Sequence, residues 1–291
     1  MNEKPTMYLP GEQLRSGDDL VLVTPELASW TYCGLRVFRL EPGGSRALLT
    51  GTSEIVILPL SGGCTVEAEG HRFELQGRDS VFDQVSDFAY MPVDTEVRVS
   101  SQVGGEFAVP SAEATRRLEP AYGAAEDVKV EIRGSGSFTR QVNNYFTPEA
   151  FTAENLMSVE VLIPAGNFAG WPPHKHDEFN PETGETVLEE IYYFRVGGED
   201  GLGFHRQYDA EGDFDVTSPV YDGDVYLTPR GYHGPSTAVP GHDLYFLNVL
   251  AGPAPQRSMA VTDDPRHRWV KESSNEAKDP RLPMSGPEGK L

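Results

Sequence analysis

Turn-forming residues punctuate this 291-residue chain throughout and limit the folds that it can adopt. Its 30 glycines and 23 prolines stand between short runs rich in Val, Ile, Phe and Tyr, such as Ile55 to Pro59 and Phe88 to Met91. Proline and glycine interrupt long helices, whereas short β-branched and aromatic runs separated by turns are typical of antiparallel strands. The sequence therefore predicts an all-β protein, long enough to bury a full core without a disulfide or a structural metal.

Two series of such runs are separated by a stretch of different character. Residues 112–127 read AEATRRLEPAYGAAED, a helical or linker composition that Pro120 and Gly123 interrupt. We place a boundary there, which gives one β domain over residues 1–127 and a second over residues 128–271. The strand rhythm indicates two copies of one β unit, although no residue-level repeat is visible. Residues 272–291 are polar and rich in Pro, Ser and Gly, so we predict a mobile tail.

The charge balance excludes several classes of partner. The chain has 24 basic and 45 acidic residues, a net charge of −21, and would repel nucleic-acid phosphates and anionic lipid. We therefore expect neither nucleic acid nor membrane as a partner, and a small anionic substrate would need local cations. Cys33 and Cys64 form no CxxC pair, and no apolar run resembles a signal peptide or a membrane span. We expect a soluble, cytoplasmic protein.

Three of the seven histidines stand in motifs that together form a metal-ligand pattern. His174 and His176 are two residues apart, so in a strand both imidazoles face the same side. Glu189 and Glu190 open the run Ile-Tyr-Tyr-Phe, and the segment GDVYLTPRGYH ends at His233. A lone HxH is weak evidence, but this ordered series supplies N, N, O and N ligands. The pattern predicts a metal site in the second half of the chain and leaves open which glutamate serves.

These residues resemble the two cupin motifs. Together the segments PPHKHDE, LEEIYYF, PRGYHGPS and YFLNVLAGP resemble the 5-deoxyglucuronate isomerase family of myo-inositol catabolism. The similarity extends upstream through LTGTSEIVILPLSG, GRDSVFDQVSDFAYMP and VEIRGSGSFTRQVNNYF, and ends near DDPRHRWVK. The resemblance covers nearly the whole chain except its two ends. It implies two cupin domains, which are jelly-roll β-barrels, and a relationship to the 4-deoxy uronate isomerases.

The matching family positions imply one divalent ion on His174, His176, Glu190 and His233. Glu190 is preferred to Glu189 because it directly precedes the Ile-Tyr-Tyr-Phe strand, where cupins usually carry their carboxylate. Three imidazoles and one carboxylate suit several divalent metals, and we expect zinc or manganese. The first half has only His71 and no HxH, so it resembles a cupin that has lost its metal.

The resemblance also implies a reaction, the conversion of 5-deoxy-D-glucuronate to 2-deoxy-5-keto-D-gluconate through an enediol that a divalent ion stabilises. The proton carrier must lie within hydrogen-bond reach of C1 and C2, and Tyr245, Glu189 and His205 are candidates among which the sequence does not choose. The substrate carboxylate needs a cation, for which Arg140 and Arg206 are the candidates. For each arginine the competing interpretation is ordinary surface pairing.

Other functions stay open at this point. A 4-deoxy uronate isomerase of pectin breakdown would look similar around the HxH motif, and an Fe(II) cupin dioxygenase would need oxygen. A non-catalytic sugar-binding cupin is the alternative outside enzymes, although the complete ligand set disfavours a storage role. We further expect the protein to form a homo-oligomer.

Overall fold

The computed structural model describes residues 7–273 and 276–290, and within them β-strands predominate, as expected for an all-β protein. The described helices are short: the α-helices are Pro25–Ala28 and Trp269–Ser273, and the 3₁₀-helices are Gly11–Leu14, Ala125–Asp127 and Gly136–Phe138. No helix in these two ranges combines the length and the apolar character needed to cross a membrane.

The first domain is organised around one long strand, Ser53–Ala68, which pairs with different neighbours along its two halves. The strand bends at Gly62, where φ is +71° and a Cβ would lie 2.1 Å from the Gly104 carbonyl oxygen. Only glycine fits there, and the bend lets one strand serve both layers of the domain. The strands of this sheet are Asp19–Val23, Cys33–Leu40, Ser45–Leu49, Ser53–Ala68, His71–Arg78, Phe88–Met91, Glu96–Ser100, Gly105–Glu113 and Ala121–Gly123.

The second domain consists of two sheets that face each other. The seven-stranded sheet runs in the order Tyr8–Leu9, Val225–Thr228, Glu189–Val196, Leu244–Ala251, Met157–Ile163, Arg140–Asn144, Lys129–Arg133. The six-stranded sheet is formed by Asp215–Val220, Gly203–Tyr208, Tyr232–Ala238, His174–Lys175, Thr262–Asp263 and Phe168–Ala169. A small hairpin, Ser285–Gly286 with Gly289–Lys290, follows near the end of the chain.

The structure of both ends of the chain differs from the predicted domain limits. Tyr8 pairs with Tyr226, so the N-terminal strand belongs to the second domain, although the sequence assigned residues 1–127 to the first. The predicted mobile tail is wrong for residues 276–290, where Ser285 is fully buried. The Gln141 side chain holds this segment by accepting hydrogen bonds from the amides of Met284 and Ser285 at 2.7 and 3.2 Å. Residues 274–275 and 291 of the predicted tail lie outside the described residues.

Three apolar cores explain how the two domains are joined. One fills the interior of the first domain, with Phe38, Ile57 and Phe107 among its members, and a second fills the interior of the second domain. The third and largest core lies between the domains, because residues such as Val56 and Ile191 project from the outer faces of the two central strands. Burying this much apolar surface makes the two domains one packed body.

A fully buried ion pair crosses the interface between the domains. Arg78 of the first domain contacts the carboxylate of Glu160 in the second, and neither side chain is exposed. Tyr245 donates its hydroxyl hydrogen to Glu160 at 2.8 Å, and Asn143 donates its amide at 3.1 Å. Arg78 also donates to the Pro59 carbonyl at 2.9 Å. Each charge therefore has hydrogen-bond partners that offset the cost of its burial.

This pair gives a stability prediction. We expect Arg78→Ala to lower the free energy of unfolding by about 3–5 kcal/mol, because Glu160 would remain buried without a charged partner. Arg72→Ala is the matched control, since Arg72 is 58% exposed and its salt bridges are worth about 1 kcal/mol or less. Urea denaturation of both variants provides the measurement, and equal losses would mean that the interface pair contributes no more than a surface pair.

Candidate metal centre

The strand Glu189–Val196 presents its two faces to different parts of the molecule. Tyr192 and Phe194 point into the interior of the second domain, and Ile191 and Tyr193 point into the core between the domains. Adjacent strand residues face opposite ways, so Glu190 belongs with the interior face and its neighbour Glu189 with the interface.

Two neighbouring strands of the other sheet bring the histidines opposite this glutamate. His174 lies in the strand His174–Lys175 and pairs directly with His233 of the strand Tyr232–Ala238. His176 follows immediately after the short first strand, and its carbonyl accepts the amide of Leu188, which ties the segment to the start of Glu189–Val196. The two sheets thereby place three imidazoles around the carboxylate of Glu190.

The ligand atoms of three of these residues form a compact group. His176 Nε2 lies 2.9 Å and His233 Nε2 lies 3.3 Å from Glu190 Oε2, and all three atoms are within 4.8 Å of one another. His174 lies outside this group, but its ring centroid is 4.4 Å from that of His233 and 6.3 Å from that of His176. The structure thus brings all four predicted ligands to one place.

Backbone carbonyls orient two of the imidazoles. His176 Nδ1 lies 3.1 Å from the Leu188 carbonyl oxygen, and His233 Nδ1 lies 3.2 Å from that of Gly231. A proton held on Nδ1 leaves the Nε2 lone pair free for a metal, and such partners are typical of histidine ligands. His233 Nε2 is buried and makes no hydrogen bond despite its closeness to Glu190. This orphaned nitrogen within an N₃O donor set fits a divalent transition metal.

Burial and neighbouring charges keep two of the imidazoles neutral. Burial, together with the charges of His176 and Lys271, lowers the pKa of His174 to about 3. Burial and His174 likewise lower the pKa of His233 well below its usual value. Burial also opposes protonation of His176, but the hydrogen bond and charge of Glu190 outweigh it, and the pKa of His176 is raised. Neutral imidazoles are the form that binds metals.

The site opens into a cavity of about 960 Å³, within the size range of small-molecule sites. His174, His176 and Glu190 line it together with Arg140, Tyr192 and Ser236.

Arg140 is the cation of this cavity that lacks a carboxylate partner within residues 7–273 and 276–290. Its one hydrogen bond goes to the Phe138 carbonyl, at a long 3.4 Å. By contrast, Arg133 pairs with Glu131, and Lys271 pairs with Asp263. Burial and the neighbouring charge of Arg133 lower the pKa of Arg140 to about 10, so the guanidinium stays charged at neutral pH. An anion entering the cavity would meet an unsatisfied fork of donors.

Arg206, the second predicted carboxylate-binding residue, lies elsewhere. Its Nε and Nη2 donate to Asp215 at 2.8 and 2.7 Å, and its guanidinium stacks 4.0 Å from the Tyr208 ring centroid. It does not line the cavity. The surface-pairing interpretation therefore describes Arg206, and its predicted role in substrate binding is corrected.

Two of the three candidate proton carriers face away from the cavity. Tyr245 lies in the core between the domains and donates to Glu160, on the opposite side of its sheet. The carboxylate of Glu189 accepts hydrogen bonds from backbone amides of the first domain, at Thr31, Tyr32 and Cys33. Strand alternation explains both results, since each residue neighbours one that points inward. Neither group reaches a substrate in the cavity.

His205, the third candidate, stands directly behind the cavity wall. Its Nδ1 lies 2.8 Å from Ser236 Oγ, and Ser236 lines the cavity. Burial lowers the pKa of His205 to about 3, so the ring is neutral, and its Nε2 has no hydrogen-bond partner. The sequence prediction did not include Ser236, because a single serine three residues after His233 carries no periodicity or motif of its own.

Comparison with known proteins gives consistent matches. A family model described as the KduI/IolB family matches residues 8–270. A 5-deoxy-glucuronate isomerase of Geobacillus kaustophilus is 36% identical over 274 residues, which cover 94% of this chain and 98% of that protein. The crystal structure of an IolB-like protein from Salmonella typhimurium LT2 superimposes with a TM-score of 0.86 at 32% identity, covering 91% of this chain and 99% of that one.

A more distant structural match bears on the fold. An oxalate decarboxylase from Lactobacillus farciminis, solved as a formate complex, superimposes with a TM-score of 0.65 over 94% of this chain and 92% of that one, at 13% identity. At this identity the similarity concerns the fold alone. It confirms the predicted arrangement of two cupin domains in one chain.

The geometry predicts how the four ligands respond to substitution. We expect the wild type to bind about one equivalent of zinc, and Glu190→Gln or His233→Ala to lose most of it, because each removes a donor from a four-ligand site. His205→Gln is the control, since it changes a buried histidine of the same domain that is outside the ligand group. Elemental analysis after dialysis is the measurement. A second equivalent in the wild type, or full retention in Glu190→Gln, would contradict the assignment.

Proposed function

This chain belongs to the KduI/IolB family, and we propose that it is a 5-deoxy-glucuronate isomerase. The reaction converts 5-deoxy-D-glucuronate to 2-deoxy-5-keto-D-gluconate, a step of myo-inositol catabolism. The observation that carries the proposal is one cavity that contains both a His/Glu ligand cluster and Arg140, a guanidinium without a carboxylate partner in the described part of the chain.

The two ends of this substrate match the two polar features of the cavity. One end is an aldehyde beside a hydroxyl-bearing carbon, and the other end is a carboxylate. We assign the carboxylate to Arg140, whose fork of N–H donors fits two oxygens. The aldehyde end then lies toward His174, His176, Glu190 and His233, for which we propose zinc or manganese. A bound divalent ion would supply Lewis-acid polarisation of the carbonyl and neutralise charge that develops on oxygen.

The isomerisation balances without an outside oxidant or cofactor. A proton leaves C2, and its electron pair forms the C1–C2 double bond while the carbonyl pair moves to O1. A proton then returns to C1, O2 loses its proton as its electron pair forms the new carbonyl, and O1 takes up a proton. These transfers leave an alcohol at C1 and a ketone at C2. The aldehyde carbon C1 is thus reduced by two electrons, and its neighbour C2 is oxidised by losing two electrons.

Ser236 and His205 are the groups that we assign to handling a proton at the substrate oxygens. Ser236 lines the cavity, and Nδ1 of the neutral His205 imidazole lies 2.8 Å from its Oγ. An imidazole that is uncharged can either donate to this hydroxyl or accept from it, so Oγ is able to hold or release a proton toward O1 or O2. Ser236 thereby replaces Tyr245 and Glu189 among the predicted proton-handling groups.

Anaerobic NMR tests the function directly. Purified protein is mixed with 5-deoxy-D-glucuronate without oxygen or added cofactor, and a matched sample receives a 4-deoxy uronate. We expect the ketose product only from the first substrate and none with His233→Ala. Turnover of the 4-deoxy uronate instead would indicate the pectin-pathway isomerase, a requirement for oxygen would indicate a dioxygenase, and no turnover of either would leave a binding protein.

Arg140 gives the prediction for substrate recognition. Arg140→Lys should lower kcat/KM by about 10-fold, or about 1.4 kcal/mol of transition-state stabilisation, because an ammonium cannot form the paired hydrogen bonds of a guanidinium. Arg206→Lys is the matched control and should match the wild type. Steady-state kinetics with the acid and with its neutral amide analogue provide the measurement. Equal losses on both compounds would show that Arg140 has a structural role.

A further inference from the structure

The two domains share a residue-level repeat that becomes visible once their central strands are compared. Glu54 is the second residue of Ser53–Ala68, and Glu189 is the first of Glu189–Val196. Each glutamate is followed eight residues later by a Gly-Gly pair, Gly62 and Gly63 in one domain and Gly197 and Gly198 in the other. Each also stands opposite an alanine of the neighbouring strand, Ala112 or Ala251.

Glu189 binds the backbone of the other domain. Its Oε1 accepts the amide of Thr31 at 2.7 Å, and its Oε2 accepts those of Tyr32 and Cys33 at 2.7 and 2.9 Å. The Cys33 thiol lies 3.4 Å from the Glu189 carbonyl oxygen, so side chain and main chain are held together. These three amides directly precede or open the strand Cys33–Leu40.

Glu54 makes the same contact in the reverse direction. It accepts the amides of Glu154, Asn155 and Leu156 of the second domain at 3.0, 2.7 and 2.6 Å. These amides directly precede the strand Met157–Ile163. Tyr90 of its own domain adds a fourth hydrogen bond at 2.7 Å. The carboxylates thus form a reciprocal pair of clamps, each from one domain to three successive amides of the other.

The clamps differ in the residue that follows. After Glu54 comes Ile55, which packs in the apolar core of the first domain. After Glu189 comes Glu190, whose carboxylate lies 2.9 Å from His176 Nε2. Only the second clamp therefore fixes a backbone position directly adjacent to a metal ligand.

We propose that Glu189 is a positioning residue of the metal centre, through which the first domain sets the direction of the Glu190 carboxylate. The proposal rests on the ligand assignment of the proposed function but not on the identity of the substrate. It gives the first domain a definite contribution, because Thr31, Tyr32 and Cys33 supply the amides on which this positioning depends.

Replacing the carboxylate by an amide shows why the effect should reach the metal. Glutamine keeps one acceptor oxygen but turns an NH₂ group either toward the N–H of Thr31 or toward those of Tyr32 and Cys33. In either orientation at least one of these amides would lose its acceptor, and the meeting of two N–H donors would move the side chain away. Because residues 189 and 190 are adjacent, a backbone shift at residue 189 also moves residue 190 and its carboxylate. Loss of groups that orient metal ligands typically weakens metal binding by about 10- to 100-fold.

The test compares Glu189→Gln with Glu54→Gln, which removes the matching clamp that is followed by the apolar residue Ile55. Zinc affinity is measured by competition with a chromogenic chelator, and the visible spectrum of the Co²⁺-loaded protein reports ligand geometry. We expect Glu189→Gln to weaken zinc binding about 10-fold and alter the Co²⁺ spectrum, whereas Glu54→Gln stays within about twofold and keeps the wild-type spectrum. Both variants should lower Tm.

An unchanged zinc affinity in Glu189→Gln, or equal weakening in both variants, would overturn the proposal and make the clamps purely structural. If Glu189→Gln does not fold, Glu189→Asp and Glu54→Asp replace the pair, since each keeps the charge but withdraws it by one methylene. None of these measurements uses a sugar acid. A failure of the isomerase assignment would therefore leave this result standing, and a failure here would leave the substrate assignment intact.

Discussion

The alternation of side chains along the strand Glu189–Val196 is the constraint on which the rest of the structure depends. A strand can turn consecutive residues only to opposite faces, so Glu189 binds the first domain while Glu190 faces the imidazoles. The same alternation sends Ile191 and Tyr193 to the core between the domains and Tyr192 and Phe194 to the cavity side. Domain docking and the proposed metal ligation therefore use the two opposite faces of a single strand.

The first domain shows what happens to a cupin when the inward positions of that strand become apolar. Ile55 and Ile57 occupy the positions that correspond to Glu190 and Tyr192, and they join Phe38 and Phe107 in a continuous apolar core. A filled interior offers neither ligands nor space, but it packs well and gives a firm surface for docking. The outer face of the same strand keeps its carboxylate at Glu54, because contacts between the domains are needed whether or not a metal is bound.

The all-β class and the place where the candidate ligands meet could be predicted from period-two alternation and motif spacing, because both are local properties. The two cupin domains were implied by the resemblance to a known family. The sequence could not separate Arg140 from Arg206, since both stand in strands. The difference is a partner nine residues away, Asp215, that satisfies one and has no counterpart at the other. Tyr245 was wrongly proposed as a proton carrier because its face depends on strand register across the sheet. The tail failed for a similar reason: backbone hydrogen bonds to Gln141, distant in sequence, hold it together with the packing of Met284 and Leu282 against the core between the domains.

Arg140 is a cation without a carboxylate partner among the described residues of an acidic protein, and this suggests how the protein uses binding energy. With 45 acidic residues available, a carboxylate partner for Arg140 would be easy to provide, and Arg133 and Lys271 beside it are both paired. Leaving one partly buried cation without a carboxylate partner costs stability, and we propose that a bound carboxylate recovers that cost. The recovered energy arises far from the aldehyde carbon, so it can hold the reacting end in place against the ligand cluster and Ser236. On this view the cavity selects sugar acids over neutral sugars before any chemistry begins, through one guanidinium that has no carboxylate partner in the described part of the chain.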